Sequence, residues 1–550
     1  MTQVIVLNDA TYHKHPLSTR PAGGHVIASN IREAGYTCEV IDWFTVLPNF
    51  FEILEKLATK ETKVLAISAT FLAPPTSVGL NEALSDQTGL GVYKDETVDN
   101  VSLETEVIYD RNLYLWLDNE ETAKNWFSKV RSILPDITII MGGPRTARIF
   151  KIAERKKIKS AIDNIDYFVV GEGDEAAIKI IDKIIKGKGN FLREVDKNGL
   201  KFIFSNRYDK PIPPIKHTKF TNAVSGEWMP LEISRGCKFN CSFCNYEKNV
   251  YRKKDRQTLI DELTRNYEMF GVKGYHLTCD CLNDSKKYMD IFTDALKSLY
   301  FDIEYVSYTR LDMFHKYEDM MEQLFETGFR AGWFGLETFN HDAAKAAKKG
   351  LHPDRVKQLM QLLKDKSHKY GGFWLSVYLV FGLPKETIES LEETISWFKN
   401  NHVVDEVSVS VLDIAEFSEQ LVDMTSFSDH TLNPEKFGFT ELSYNPFYWK
   451  HETMDVHDAI RMKEKFKEEM KYHTSTRYGG SAMNEYGSIR TLGFSHSQTV
   501  KLLKVKLGDV GSKLLDMDKN LKVNVRKQLL QLSQEKLKKY NDSLLSFKQF

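Results

Sequence analysis

Short apolar runs recur along this chain, each followed by a stretch of helical periodicity, and that alternation leaves few folds open. Repeated strand–helix units bury their apolar residues in a parallel sheet with helices on its faces. Residues 1–190 carry five such runs: Val4–Leu7, Cys38–Ile41, Val64–Ile67, Ile137–Met141 and Tyr167–Val170. Gly23-Gly24 opens a helix to about Ala34, and Gly35 ends it. The third run ends in Ser68-Ala69-Thr70, the fourth in Gly142-Gly143-Pro144 and the fifth in Gly171-Glu172-Gly173-Asp174. Ligands of open α/β sheets sit outside the carboxyl ends of the strands, and small residues there let a ligand approach the backbone. An irregular insert at Asp86–Asp118, with Tyr93, Tyr109, Tyr114 and Trp116, reads as a lid or a packed excursion.

Residues 191–225 read as a linker, because Lys210-Pro211-Ile212-Pro213-Pro214 fits neither a helix nor a central strand. From Met229 a second series begins. Its strands are Leu231–Ser234, Tyr275–Thr278, Ile303–Tyr308, Ala331–Leu336, Trp374–Phe381 and Val404–Val411. Helices fall between them, among them Thr258–Phe270, Lys286–Leu299, Met320–Phe325, Asp354–Lys366 and Ile388–Phe398. Six repeats over residues 226–425 predict a partial (β/α)6 barrel of TIM type, open rather than closed at eight. Residues 426–550 lose the strand signal and read as a mostly helical extension, with helices at Met454–Lys471 and over much of Leu502–Phe550. Tyr444, Phe447, Tyr448 and Trp449 read as a packing cluster ahead of it. The predicted fold class is α/β: a Rossmann-like parallel sheet, a partial barrel and a helical extension.

Composition narrows the function. Lys+Arg 75 against Asp+Glu 76 gives a net charge of −1, which excludes a nucleic-acid coat protein. The last fifty residues hold 12 Lys/Arg and 5 Asp/Glu, a net of +7. Those lysines read as the solvated face of a helix over a Leu529, Leu530, Leu537 and Leu544 stripe, in preference to a nucleic-acid surface. The densest apolar stretch, Phe373–Leu383, falls short of the ~20 residues of a membrane helix. The N-terminus lacks the basic start and apolar core of a signal peptide. Six cysteines in 550 residues make no disulfide scaffold. A cytoplasmic, multidomain enzyme is the expectation.

The sharpest chemical signal is Arg235-Gly236-Cys237-Lys238-Phe239-Asn240-Cys241-Ser242-Phe243-Cys244, directly after a strand. Three thiols at C-x3-C-x2-C spacing can hold three irons of a cubic iron–sulfur cluster and leave the fourth iron open. A tetrahedral zinc site needs a fourth ligand, which Cys279 or Cys281 would have to supply, and plain structural cysteines are the third reading.

With Phe243 before its third cysteine, this motif resembles the signature of the radical SAM superfamily. The resemblance implies a 4Fe-4S cluster on Cys237, Cys241 and Cys244, whose open iron is chelated by S-adenosylmethionine (SAM). Reductive cleavage of the sulfonium then gives a 5′-deoxyadenosyl radical. Further positions resemble the family in order along the strands. Asp280, in Leu277-Thr278-Cys279-Asp280, matches the acceptor for the SAM amino group. Arg310 matches an arginine that approaches the SAM carboxylate, and Glu337, in Gly335-Leu336-Glu337-Thr338, a residue that binds the ribose or the amino group. Gly382, in Phe381-Gly382-Leu383-Pro384, matches a turn whose backbone abuts the adenine, and Phe243 belongs to the same SAM site. Read singly, Asp280, Arg310 and Glu337 are equally ordinary strand-end ion pairs. If Asp280 faces SAM, Cys279 and Cys281 face outward by strand parity, unless the strand ends before them.

The first 190 residues resemble the cobalamin-binding domain that precedes many radical SAM domains. Pro21-Ala22-Gly23-Gly24-His25 and the two glycine turns carry that likeness, which assigns Ser68, Gly142, Gly143, Gly171 and Gly173 to the corrin. The Asp-x-His-x-x-Gly motif that supplies a cobalt ligand elsewhere is absent; His13, His15 and His25 are off pattern. Where many relatives have Pro-x-Pro-Gly-Thr after the sixth strand, this chain has Leu412-Asp413-Ile414-Ala415-Glu416-Phe417. Cys38 is the only cysteine before the motif, which argues against the methylthiotransferase branch. The implied reaction is cobalamin-dependent methyl transfer to an unactivated carbon or phosphinate centre of a small, natural-product-like molecule. A flavodoxin or ferredoxin would donate the electron. The alternatives are radical oxidation, cyclisation or rearrangement without cobalamin, and a zinc-stabilised binding protein.

Overall fold

A computed structural model describes residues 2–8, 19–44, 47–68, 120–143, 146–155, 164–189, 193–205, 209–244, 250–421, 427–444, 447–470, 473, 475–479, 482–506 and 519–547. The insert expected at Asp86–Asp118, and His13 and His15, lie outside these residues.

The five predicted N-terminal strands form: β1 (Val4–Asn8), β2 (Cys38–Asp42), β3 (Val64–Ser68), β4 (Thr138–Gly142) and β5 (Tyr167–Val170). They pair in parallel in the order β2-β1-β3-β4-β5. The order reverses between β1 and β3, the switch point at which such sheets bind ligands beyond their carboxyl ends. Alternate residues feed two cores. Ile5, Leu7, Leu65, Ile67, Ile139 and Met141 face one side, and Val4, Val6, Val64, Ala66 and Ile140 the other. A sheet covered on both faces tolerates the unbroken apolar runs seen in the sequence.

The linker expectation fails in its first half. Strands β6 (Arg193–Lys197) and β7 (Leu200–Phe204) form an antiparallel hairpin, and β7 extends the sheet in parallel beside β5. The turn is Asn198-Gly199, both at positive φ. Asn-Gly is a strong hairpin signal, here passed over because exposed, charged β6 lacks an apolar run.

The second sheet is all parallel: β8 (Trp228–Glu232), β11 (Gly274–Thr278), β12 (Glu304–Thr309), β13 (Phe329–Glu337), β14 (Trp374–Phe381) and β15 (Glu406–Val411), in that spatial order. Two short segments between β8 and β11, β9 (Ser234–Arg235) and β10 (Arg252–Lys253), pair antiparallel. Outward residues of the six strands pack beneath the helices in one large core. Inward residues Trp228, Val306, Ala331, Trp333 and Trp374 meet Tyr486, Ile489 and Leu503 from two C-terminal helices, Ala482–Thr491 and His496–Lys506. These helices plug the amino end of the trough. Toward its carboxyl end the inward residues Thr278, Tyr308 and Ser410 are exposed. The barrel is closed below and open above, as a site at the strand ends requires.

The C-terminal extension is mostly helical but not devoid of strands. A meander, β16 (Phe439–Tyr444), β17 (Phe447–His451) and β18 (Met454–Asp455), precedes helix Val456–Met470, and β19 (Arg477–Tyr478) adds to β15. The expected aromatic cluster lies largely on β17, where Phe447 and Trp449 are buried. Leu529, Leu537 and Leu544 of helix Lys519–Ser546 are also buried, and Leu537 and Leu544 pack on the first sheet's core. Lys538 points to solvent, as the amphipathic reading predicts. Among the described residues no helix is long and apolar enough to cross a membrane.

Candidate active site at the cysteine loop

The loop that carries Cys237, Cys241 and Cys244 leaves the sheet after β9 and returns at β10. Gly236 begins it at φ 74°, a conformation that a side chain would strain. The Cys244 N–H donates to the Cys241 carbonyl at 3.1 Å, which closes a turn around the second and third thiols. Ser242, fully buried, pins the turn from below. Its hydroxyl donates to the Ala346 carbonyl at 2.9 Å and meets His430 Nε2 at 3.0 Å. The His430 N–H donates back to the Ser242 carbonyl at 3.0 Å. Burial pushes the His430 imidazole down to about 4, so it stays neutral. Phe243 is half-buried against the barrel core. Among the described residues, no group of three or more His, Cys, Asp or Glu closes around a single ion.

The neck of the loop is charged. Arg235 and Arg252 stand directly opposite on β9 and β10, an unfavourable pairing of like charges. Carboxylates from the first sheet resolve it. Glu172 accepts from Arg235 at 2.5 Å and from Arg252 at 2.6 and 2.7 Å. Asp174 takes both terminal nitrogens of Arg235 at 2.9 and 3.1 Å, and Glu232 takes its Nε at 2.7 Å. Asn30 donates to Asp174 at 2.9 Å. The Gly171-Glu172-Gly173-Asp174 turn is thus fastened to the residue two before Cys237. The carboxyl edge of the first sheet and the mouth of the barrel meet there.

Around the mouth stand the predicted strand-end residues. Asp280 receives the Gly236 N–H; burial pushes its carboxyl up to about 6, against the pull of Lys253. Arg310 is buried: its guanidinium pairs with Asp312 at 2.9 and 2.5 Å, lies 3.8 Å above the Phe239 ring and donates to Cys241 Sγ at 3.3 Å. Asn283 holds both backbone groups of Arg310, at 2.9 and 2.8 Å. Glu337 follows a register shift in β13 and sits at φ 68°. Lys349 holds it at 3.0 Å and bonds the Gly335 carbonyl at 3.0 Å. A non-glycine residue at positive φ is strained backbone held in place by its surroundings.

Gly382 has an internal task. Its N–H donates to Glu386 at 2.9 Å, and its carbonyl meets His451 Nε2 at 3.2 Å. A Cβ there would come within 2.4 Å of Trp449 Cη2, and φ is 92°. Gly382→Val combines overpacking with a backbone that β-branched residues avoid, and should cost about 3 kcal/mol or more. The denaturant midpoint measures it: the midpoint should fall with an unchanged slope.

Cys279 packs against the outer core and meets the Ser307 hydroxyl at 3.3 Å, and Cys281 is buried; β11 ends at Thr278, before both, so strand parity does not decide where they point. Burial pushes the Cys279 thiol up to about 12 and raises that of Cys281, so both stay protonated and unreactive. On the first sheet, Ser68 pairs with Gly142, and Gly142 with Val169, which brings Ser68, Gly142, Gly143, Gly171 and Gly173 to adjoining strand ends. A Cβ at Gly142 would meet, among the described residues, only Val169 Cβ at 3.7 Å. His25 is buried with Nε2 on Asp42 at 3.0 Å and is committed to that contact. Sequence reading missed Glu172, Asp174, Arg252, Asn283, Asp312, Ser242 and His430. Each acts through partners distant in sequence or through a turn with no motif of its own.

Residues 231–398 match the family model described as the radical SAM superfamily. This part of the chain is a radical SAM domain. The chain is 24% identical over 288 residues, 49% of its length, to an "uncharacterized methyltransferase" of Pyrococcus horikoshii. It is 25% identical over 268 residues, 44% of its length, to the bacteriochlorophyllide d C-8(2)-methyltransferase of Chlorobaculum tepidum. These matches span 59% and 55% of the two relatives, a little over half of each. The fold is that of the cobalamin-dependent SAM radical enzyme OxsB, solved with aqua-cobalamin and SAM: 12% identity, a TM-score of 0.51, and coverage of 100% of this chain and 85% of that one. The likeness thus runs beyond the radical SAM domain to the sheet before it and the helices after it.

Proposed function

We propose that this chain is a radical SAM enzyme with a 4Fe-4S cluster on Cys237, Cys241 and Cys244, which uses cobalamin to transfer a methyl group to an unactivated carbon of a small molecule. One observation carries the reading: of three thiols on one loop, Cys241 meets Arg310 from the end of β12, while Arg235 ties that loop to Glu172 and Asp174 at the carboxyl edge of the first sheet. Three thiolates at C-x3-C-x2-C spacing supply the three protein ligands of a cluster with one open iron, whereas a closed zinc site needs a fourth ligand. The small residues at the ends of β3, β4 and β5 suit a broad, flat ligand. The names of the two relatives support methyl transfer, and the cobalamin bound to OxsB supports a corrin on the first sheet.

When bound, the cluster with SAM supplies a primary carbon radical and cobalamin a methyl carrier. The chain's own residues place and shield the reacting groups. Asp280 would accept from the SAM amino group, Arg310 would face its carboxylate, and Glu337 would bind its ribose or amino group. The Gly382-Leu383 turn, braced by Glu386, bounds the adenine. The C-terminal helices close the trough below, which keeps water from the target carbon. The Ser68, Gly142, Gly143, Gly171 and Gly173 strand ends of the first sheet would hold the corrin.

Anaerobic reconstitution with iron and sulfide, then SAM and a strong reductant, is the test. The protein should turn brown and release 5′-deoxyadenosine and methionine. Hydroxocobalamin should co-elute with it on gel filtration. A cluster-loaded protein that releases every corrinoid would refute the cobalamin half of the proposal and leave radical chemistry of another kind.

A further inference from the structure

Arg310 is held more rigidly than a ligand-binding arginine needs. Asn283 clamps its backbone N–H and carbonyl, Asp312 takes one edge of the guanidinium in a bidentate pair, and Phe239 lies under its face at 3.8 Å. Asp312 thereby aims a remaining N–H, on Nη1, at Cys241 Sγ, 3.3 Å away. Phe239 and Cys241 belong to the same loop, so the guanidinium is wedged into the loop itself.

We propose that Arg310 is a positioning residue that donates a fixed, charge-assisted hydrogen bond to the Cys241 ligand sulfur and so raises the reduction potential of the cluster. The inference rests on the cluster assignment above and adds to it a role in the absence of SAM. A cationic donor on a ligand sulfur withdraws charge from the cluster. It stabilises the more negative, reduced state, and hydrogen bonds to sulfur are among the factors that set such potentials. Burial strengthens the effect, since the donor is shielded from water. The Asp312 carboxylate opposes it by offsetting the positive charge while fixing its direction. The two substitutions therefore have opposite expected signs.

The experiment is a potentiometric titration of the reconstituted cluster, followed by EPR, with no SAM present. Iron and sulfide are counted for each variant. Arg310→Met should lower the midpoint, with about tenfold less reduced cluster at a fixed potential, which is about 59 mV for a one-electron couple. Asp312→Asn should raise it. A fully loaded Arg310→Met protein with an unchanged midpoint overturns the inference. If Arg310→Met takes up no cluster, Asp312→Asn decides: an upward shift supports the inference, and no shift or a downward one overturns it. Failure of the wild-type protein to take up iron would instead overturn the cluster assignment, and this inference with it.

Discussion

Cys241→Ala is expected to give a nearly colourless protein after anaerobic reconstitution, with 5′-deoxyadenosine at the level of a no-enzyme control. Loss of one thiolate leaves two ligands for a cluster that needs three from the protein. It also removes the sulfur against which Arg310 is wedged, so the loop loses an anchor as well as a ligand. Iron content should fall from about four atoms per chain to below about one. Cys281→Ala is the matched control. Its thiol lies outside the motif, is buried and donates to Asn283 Oδ1 at 3.5 Å. It should keep its iron and its SAM cleavage. A Cys241→Ala protein that still cleaves SAM would remove the assignment of the loop.

The second large effect is on stability. Arg235→Met should cost about 3–5 kcal/mol, because Asp174 and Glu232 are left buried without their cation. The loss is in part the cost of orphaned charge, and a double-mutant cycle exposes that part. Asp174→Asn should destabilise the wild type, in which it removes a partner of Arg235 at 2.9 Å. In the Arg235→Met background it should restore stability, since the carboxylate there has no cation left. Unfolding midpoints of the four proteins test the change of sign. Additive, same-signed effects would show that the cluster is not coupled in this way.

The strand series and the cysteine loop were legible because they are local. A strand shows its apolar run within a few residues, and the loop shows its thiols within eight. The two failures have physical causes. β6, Arg193-Glu194-Val195-Asp196-Lys197, is an exposed edge strand, and its charges hide the pattern. The meander strands β16 to β18 mix aromatic and polar residues, and without a long apolar run they read as part of the helical extension and a packing cluster. The parity expectation for Cys279 and Cys281 does not apply, because β11 ends at Thr278 and the loop after it, not strand geometry, places both thiols. The ion network at the loop neck was invisible for another reason. Glu172 and Arg235 are 63 residues apart, on different sheets, and nothing in either segment names the other. Arg310 was marked by its strand-end position, but its contact with Cys241 across 69 residues exists only once the barrel folds.

The crossed arginines at the base of the loop bear on attempts to recombine this protein. β9 and β10 repel each other until the acids of the first sheet arrive, so the neck is completed by a part of the chain that precedes it. A chimera that grafts this barrel onto a foreign leading sheet would inherit two facing cations and keep Glu232 on Arg235, but would lose Glu172, which joins the two, and Asp174. Such grafts would have to carry Glu172 and Asp174 along with Arg235 and Arg252 as one transplantable set, or the foreign sheet would splay the strands meant to hold the metal.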